Sequence, residues 1–266
     1  MRCLVAALSA CAVLAAAGCG GGEGAAGSSF KPAKAKVLTV ATAFLPAPGF
    51  WEGNPPDAGF EERLADALAK KLGLERVTVE EVPFASLTAG DLRGADLALS
   101  QLTPTKKREN VLAFTTPYLT APPGILARAA VHATDAAGLR ELRWVVSSTS
   151  TLTPSVMDRI RPIHPPIVVE DRTKALDVLS SGRADALLLD LPVALGLAHS
   201  KPSLFHVLGQ LSGSEGLAVA LPHGSSNLEI VDSTIRRFQA DGTIDELGTR
   251  WLGKSAEDVP LILTEG

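Results

Sequence analysis

Apolar residues along this chain recur with two periods, and each switch of period marks a new short element. Residues 37–42, VLTVAT, alternate as a strand does. Residues 59–73, GFEERLADALAKKLG, instead place Phe60, Leu64, Leu68 and Leu72 four apart. That spacing is the stripe of an amphipathic helix, with Gly73 as its stop. A second strand is predicted at 76–82, a short helix at 84–90 and a third strand at 96–100, so strand and helix alternate up to Leu99. This order predicts an α/β unit on a mostly parallel sheet.

The same alternation returns further on. Residues 143–147 read as a strand, followed by the hydroxyl-rich turn Ser148, Thr149, Ser150 and Thr151 and a helix around 154–160. Another strand begins at 167–169, a helix at 173–181 turns Ala175, Leu176 and Leu179 inward, and a strand at 184–189 ends on Asp190. Segments 118–128 and 215–221 read as crossings between two units. Helix 226–239 follows with Leu228, Val231, Ile235 and Phe238 inward, then helix 241–253, whose Leu247, Trp251 and Leu252 can seal the first unit. The expectation is an α/β chain of two lobes, the first from 37–123 plus 217–266 and the second from 124–216.

The beginning of the chain departs from both periods. Residues 3–17 are an apolar run behind the single basic Arg2, short for a membrane span and followed by small residues, which predicts a secretory leader over 1–18. Residues 19–36 are rich in Gly, Ala and Lys and read as a flexible tether with a basic end. All three cysteines, Cys3, Cys11 and Cys19, lie in this first part, so the body must be stabilised by its core and not by disulfides. The net charge of −4, or −5 once Arg2 is lost with a leader, argues against a nucleic-acid surface.

Candidate chemistry concentrates at 94–128. Strand 96–100 ends on Ser100, Gln101 follows in a turn, and Thr103 with Pro104 reads as a helix start. Arg108 stands about one turn further on. Polar strand ends, free helix amides and a guanidinium suit a carboxylate, although Lys106, Lys107, Arg108 and Glu109 read equally as a solvated helix face. Phe50 and Trp51 leave the carboxyl end of the first strand, either as core cover or as an exposed cap. Ser150 and Thr151 are a capping turn or a donor pair. Asp190 is the N-cap of the next helix or a partner for an ammonium group, and Asp185 is read as structural. His199 and His206 have no metal-like spacing and are read as surface residues. Glu61, Glu62 and Glu215 are conceivable general acids, but none sits in a distinctive motif, and no Ser-His-Asp, Cys-His or metal constellation is present.

The run 100–118, SQLTPTKKRENVLAFTTPY, resembles the family 3 extracellular solute-binding proteins, the polar amino-acid receptors of bacterial ABC importers. Thr103, Thr105, Arg108, Phe114, Pro117 and Tyr118 carry the likeness, which extends over roughly 36–253. The run 181–196, SGRADALLLDLPVALG, resembles the family's second-lobe signature, and residues 16–19 resemble a lipobox with Ala16 where Leu is usual. The resemblance implies a two-lobed periplasmic-binding-protein-like fold of type II that closes on a small ligand. It implies that Thr103, Arg108, Ser150 and Thr151 hold the ligand carboxylate, that Asp190 takes its ammonium, that Phe50 or Trp51 packs its side chain, and that Ser100 and Gln101 belong to the same ligand site. In the family a glycine opens the hydroxyl-rich turn, where this chain has Thr149. It further implies a monomer without cofactor or metal, lipidated at Cys19 on the outer face of a bacterial membrane and serving permease subunits. The alternatives on the same fold are a cyclohexadienyl or arogenate dehydratase and a ligand-sensing domain.

Overall fold

The computed structural model describes residues 29–213, 215–253 and 259–264. The leader, Cys19 and the first part of the tether fall outside them.

Two five-stranded sheets carry the chain. The first runs Arg76–Glu81, Val37–Thr42, Leu97–Ala98, Ala220–Pro222, Leu112–Phe114. Its first three strands are parallel, and Ala220–Pro222 is antiparallel to both neighbours. Val37–Thr42 does not alternate in burial: all six residues are inside, Thr39 and Thr42 included. A central strand covered on both faces needs apolar or small residues at every position, so alternation of residue type along it does not become alternation of exposure. Helix Phe60–Lys71 buries Phe60, Leu64 and Leu68 as its stripe predicts, with Glu61 unexpectedly among them, and Gly73 ends it at φ 76°.

The second sheet repeats the plan as Ile167–Val169, Trp144–Ser147, Ala186–Asp190, Pro123–Arg128, Phe205–Gln210. Again three strands are parallel and the fourth runs against both neighbours. The crossing predicted over 118–128 is shorter than expected. Only Leu119–Thr120 crosses, paired antiparallel with Gly216–Leu217, and Pro123–Arg128 already lies inside the second sheet with its first five residues buried. The helix expected at 154–160 is a single turn, Thr153–Ser155, continued by a π-helical turn, Val156–Ile160, and stopped by Arg161 at φ 55°.

Two segments are docked where other placements were expected. The tether does not extend to Lys36: Phe30 is buried in the first lobe, the Lys31 backbone exchanges hydrogen bonds with the Asn227 side chain, and Ala33 N–H donates to Asp96. Residues 259–264 do not lie on the first lobe. They run along the free edge of Phe205–Gln210, with Gln210 N–H donating to Pro260, Ile262 N–H donating to Gln210, and Ile262 buried in the second core. Backbone pairing at Leu261 and burial of Ile262 cover an edge strand that would otherwise stay open, in place of the expected continuation of lobe 1.

The lobes touch. Helix Leu191–Ser200 approaches the loop around Pro48 so closely that a Cβ on Gly196 would stand 2.6 Å from the Pro48 carbonyl oxygen.

Candidate functional site

A cavity partly open to solvent lies between the lobes at the carboxyl ends of strands from both sheets. Leu45, Phe84, Gln101, Thr103 and Arg108 line it from the first lobe, and Val146, Ser147, Thr149 to Thr153, Val156, Arg172, Ala175 and Leu187 to Asp190 line it from the second.

The first-lobe wall is built by local hydrogen bonding. Ser100 does not face the cavity: its hydroxyl accepts from Ala43 N–H at 3.0 Å and ties two strand ends together. Gln101 follows at φ 47°, held there because Glu61 accepts from both its backbone and its side-chain N–H groups. Glu61 also accepts from the Trp51 indole at 2.8 Å and from the Tyr118 hydroxyl. Burial pushes the Glu61 carboxyl up while these donors pull it down, and Tyr118 is driven well above its ordinary value by burial and by Glu61. Glu61 thus has a place that its sequence context did not suggest: it supports the Gln101 turn.

The helix start predicted at Thr103 lies two residues later. Thr105 caps Lys106–Glu109, its hydroxyl accepting from Arg108 N–H at 3.2 Å, while the Thr103 carbonyl accepts from Arg108 Nη1 at 2.8 Å. Lys106, Lys107 and Glu109 are exposed, as a solvated face requires, but Arg108 is buried. Its guanidinium stands 5.5 Å from the centre of the Phe84 ring and reaches the Thr149 carbonyl of the opposite lobe at 3.4 Å. Burial lowers its pKa and Asp190 raises it.

On the second lobe, Ser150 and Thr151 line the cavity. Thr149 does not strain the turn, since the described non-glycine residues with positive φ are Lys36, Arg93, Gln101 and Arg161. The Ser150 hydroxyl accepts from Leu152 N–H at 3.1 Å. Asp190 ends its strand just before helix Leu191–Ser200, yet its side chain makes no capping hydrogen bond. Its Oδ1 is buried without a partner among the described residues. Burial pushes this carboxyl up to about 6 against the pull of Arg172 and Arg108, with Glu215 adding to the rise. Asp185, read as structural, is held well below the usual carboxylate range by Arg143 and Arg128.

Phe50 and Trp51 do not line the cavity. Phe50 is fully buried, 6.1 Å from the Phe60 ring, so it is core cover; Trp51 is committed to Glu61 and stands 6.2 Å from Phe44. Leu45 and Phe84 supply the first-lobe apolar wall instead. Arg172 is a further lining residue that sequence reasoning missed. It opens helix Arg172–Ser180 and crosses to the first lobe, where Nη1 lies 3.1 Å from Gln101 Oε1 and 3.4 Å from the Pro46 carbonyl. A basic residue just after a capping Asp171 was the available signal. His206, expected on the surface, is half-buried with Nε2 at 2.8 Å from the Val131 carbonyl, and His199 is exposed.

Residues 40–254 match the bacterial extracellular solute-binding proteins, family 3. The chain is 28% identical over 198 residues to the L-cystine-binding protein TcyJ of Escherichia coli strain K12, covering 73% of this chain and 74% of that one. It is 26% identical over 254 residues to the arginine-binding extracellular protein ArtP of Bacillus subtilis strain 168, covering 92% and 95%. A solved structure of an ancestral arginine-binding protein bound to glutamine is 25% identical with a TM-score of 0.70, over 82% of this chain and 99% of that one.

Proposed function

We propose, for a chain that belongs to the bacterial extracellular solute-binding proteins of family 3, that the cleft captures an amino acid and presents it to the permease of an ABC importer. The observation that carries this reading is the Asp190 carboxylate: buried, uncapped, unpartnered at Oδ1, and set across the cleft from Arg108. An ammonium group supplies the partner that Oδ1 lacks, and a carboxylate suits the guanidinium of Arg108 together with the turn at Ser150 and Thr151. The relatives bind cystine and arginine by name, and the ancestral protein holds glutamine, so what they share is the amino-acid backbone.

Because the contacts are divided between lobes, a bridging zwitterion binds the closed form better than the open one, which is the condition for ligand-driven closure. A screen of the amino acids by melting temperature, then calorimetry on the purified full chain, tests capture. Arg108→Ala is expected to weaken the best ligand by roughly 2–5 kcal/mol, because it leaves a desolvated carboxylate unpaired. Scattering from the same samples is expected to show a smaller radius of gyration at saturation. Unchanged affinity in the variant would remove Arg108 from the site, and turnover of prephenate or arogenate would favour the dehydratase reading.

Attachment to the membrane through a lipidated Cys19 belongs to the same proposal, on the strength of the small-residue run that ends there. With the full chain expressed in a bacterial host, Cys19→Ala is expected to lose incorporation of a fatty-acid probe. Equal labelling of parent and variant rejects the anchor.

A further inference from the structure

Building on the capture reading, we infer that the ligand carries a second acidic group and that Arg172 binds it, so the cleft selects an acidic amino acid over neutral and cationic ones. Three charged residues line the cavity: Arg108, Arg172 and Asp190. The carboxylate and ammonium of an amino acid answer Arg108 and Asp190 and leave one guanidinium of the lining in excess; Arg172 feels Asp190 and Glu61 by charge but hydrogen-bonds to neither. Arg172 is half-buried, and its one engaged nitrogen, Nη1, is shared between two neutral acceptors, Gln101 Oε1 and the Pro46 carbonyl. Its Nε and Nη2 have no hydrogen-bond partner among the described residues. The guanidinium is partly out of water, hydrogen-bonds only to neutral oxygens and meets Asp190 and Glu61 by charge alone, so an anion that hydrogen-bonds its open nitrogens takes the place of water there.

The neighbouring carboxylates do not fill that place. Glu61 stands behind Gln101, already accepting from Trp51, Gln101 and Tyr118; it acts on Arg172 by charge, while the hydrogen bond to Arg172 is made by the intervening Gln101 amide. Glu215 acts on Asp190 and does not line the cavity. Asp190 is therefore the single acidic residue of the lining, and it is the ammonium partner. A cationic side chain entering this cleft would meet Arg172 with no second carboxylate to receive it, whereas an acidic side chain finds a guanidinium with two open donors.

Calorimetry on the purified full chain with L-glutamate, L-aspartate, L-glutamine, L-asparagine and L-arginine tests the assignment. Glutamate or aspartate is expected to bind about 100-fold more tightly than its own amide, the scale of effect seen when a buried charge loses its partner. Arg172→Gln is expected to erase that preference while amide binding persists, and Arg172→Lys to keep part of it, with melting scans showing both variants folded. Equal binding of acid and amide by the parent, or arginine ahead of both, overturns the acidic assignment and leaves amino-acid capture standing. Full preference for the acid in folded Arg172→Gln overturns it equally. Failure of every amino acid to bind overturns both readings.

Discussion

Asp190→Asn is expected to abolish amino-acid binding and, at the same time, to raise the melting temperature of the ligand-free protein at neutral pH. The two effects have one cause. The carboxyl is buried with Oδ1 unpartnered, and its pKa stands at about 6 against an ordinary 3.8. A group raised in this way binds its proton more tightly folded than unfolded, so its contribution is full below about pH 4 and is lost as pH rises through 6. By pH 7 that loss amounts to about 3 kcal/mol, at roughly 1.4 kcal/mol per pKa unit. Asparagine cannot ionise, so the stability gap between variant and parent should open between pH 4 and 7, as melting scans at several pH values would show. Binding runs the other way, because an ammonium needs the ionised carboxylate. Affinity in the parent should fall by about tenfold for each pH unit below 6. A variant that melts lower than its parent at pH 7 would make Asp190 a structural residue after all, and one that binds normally would remove it from the site.

Glu61→Ala is expected to be the most destabilising single change in the first lobe. Four donors converge on this carboxylate: the Trp51 indole, the backbone and side-chain amides of Gln101, and the Tyr118 hydroxyl. Removing the acceptor strands three of them, the two Gln101 amides and the Tyr118 hydroxyl, while the Trp51 indole keeps the Leu99 carbonyl at 3.3 Å. Each orphaned buried donor costs about 1–3 kcal/mol, and water entering the space left by the side chain returns part of it, so a net loss of at least about 3 kcal/mol is expected in urea unfolding at pH 7. Affinity should fall as well, since the Gln101 turn at φ 47° loses its anchor. A variant within about 1 kcal/mol of the parent would show that the network contributes little net stability.

Much of the scaffold is legible in residue order. The Phe60, Leu64, Leu68 stripe and the Gly73 stop are local signals, and each element they predict is present. Arg108 is separable from its basic neighbours only by resemblance, because burial of one residue in Lys106–Glu109 is decided by the wall it folds against and not by the tetrapeptide. Asp190 carries two readings that only the missing capping bond parts. Arg172 and Phe84 are illegible for a different reason. Arg172 reaches Pro46 and Gln101 across 126 and 71 residues of chain, so its role depends on how two lobes meet, which no local pattern encodes. Position alone leaves Phe50 and Trp51 open between core cover and cap, because an aromatic at the end of a strand is equally at home in the core; the resemblance places one of them on the ligand, and here Phe60 and Glu61 claim them.

The docked tail changes the parity of the molecule. A chain that passes between two bodies an even number of times ends on the one it started from. Leu119–Thr120 and Gly216–Leu217 make two passages, and the connection from helix Thr243–Trp251 to Ile262 makes a third. The described chain therefore starts on one body, at Phe30, and finishes on the other, at Ile262. On the proposed closure, the distance between these two ends would change with the angle between the bodies, and a pair of reporters placed near them would read it without touching the cleft.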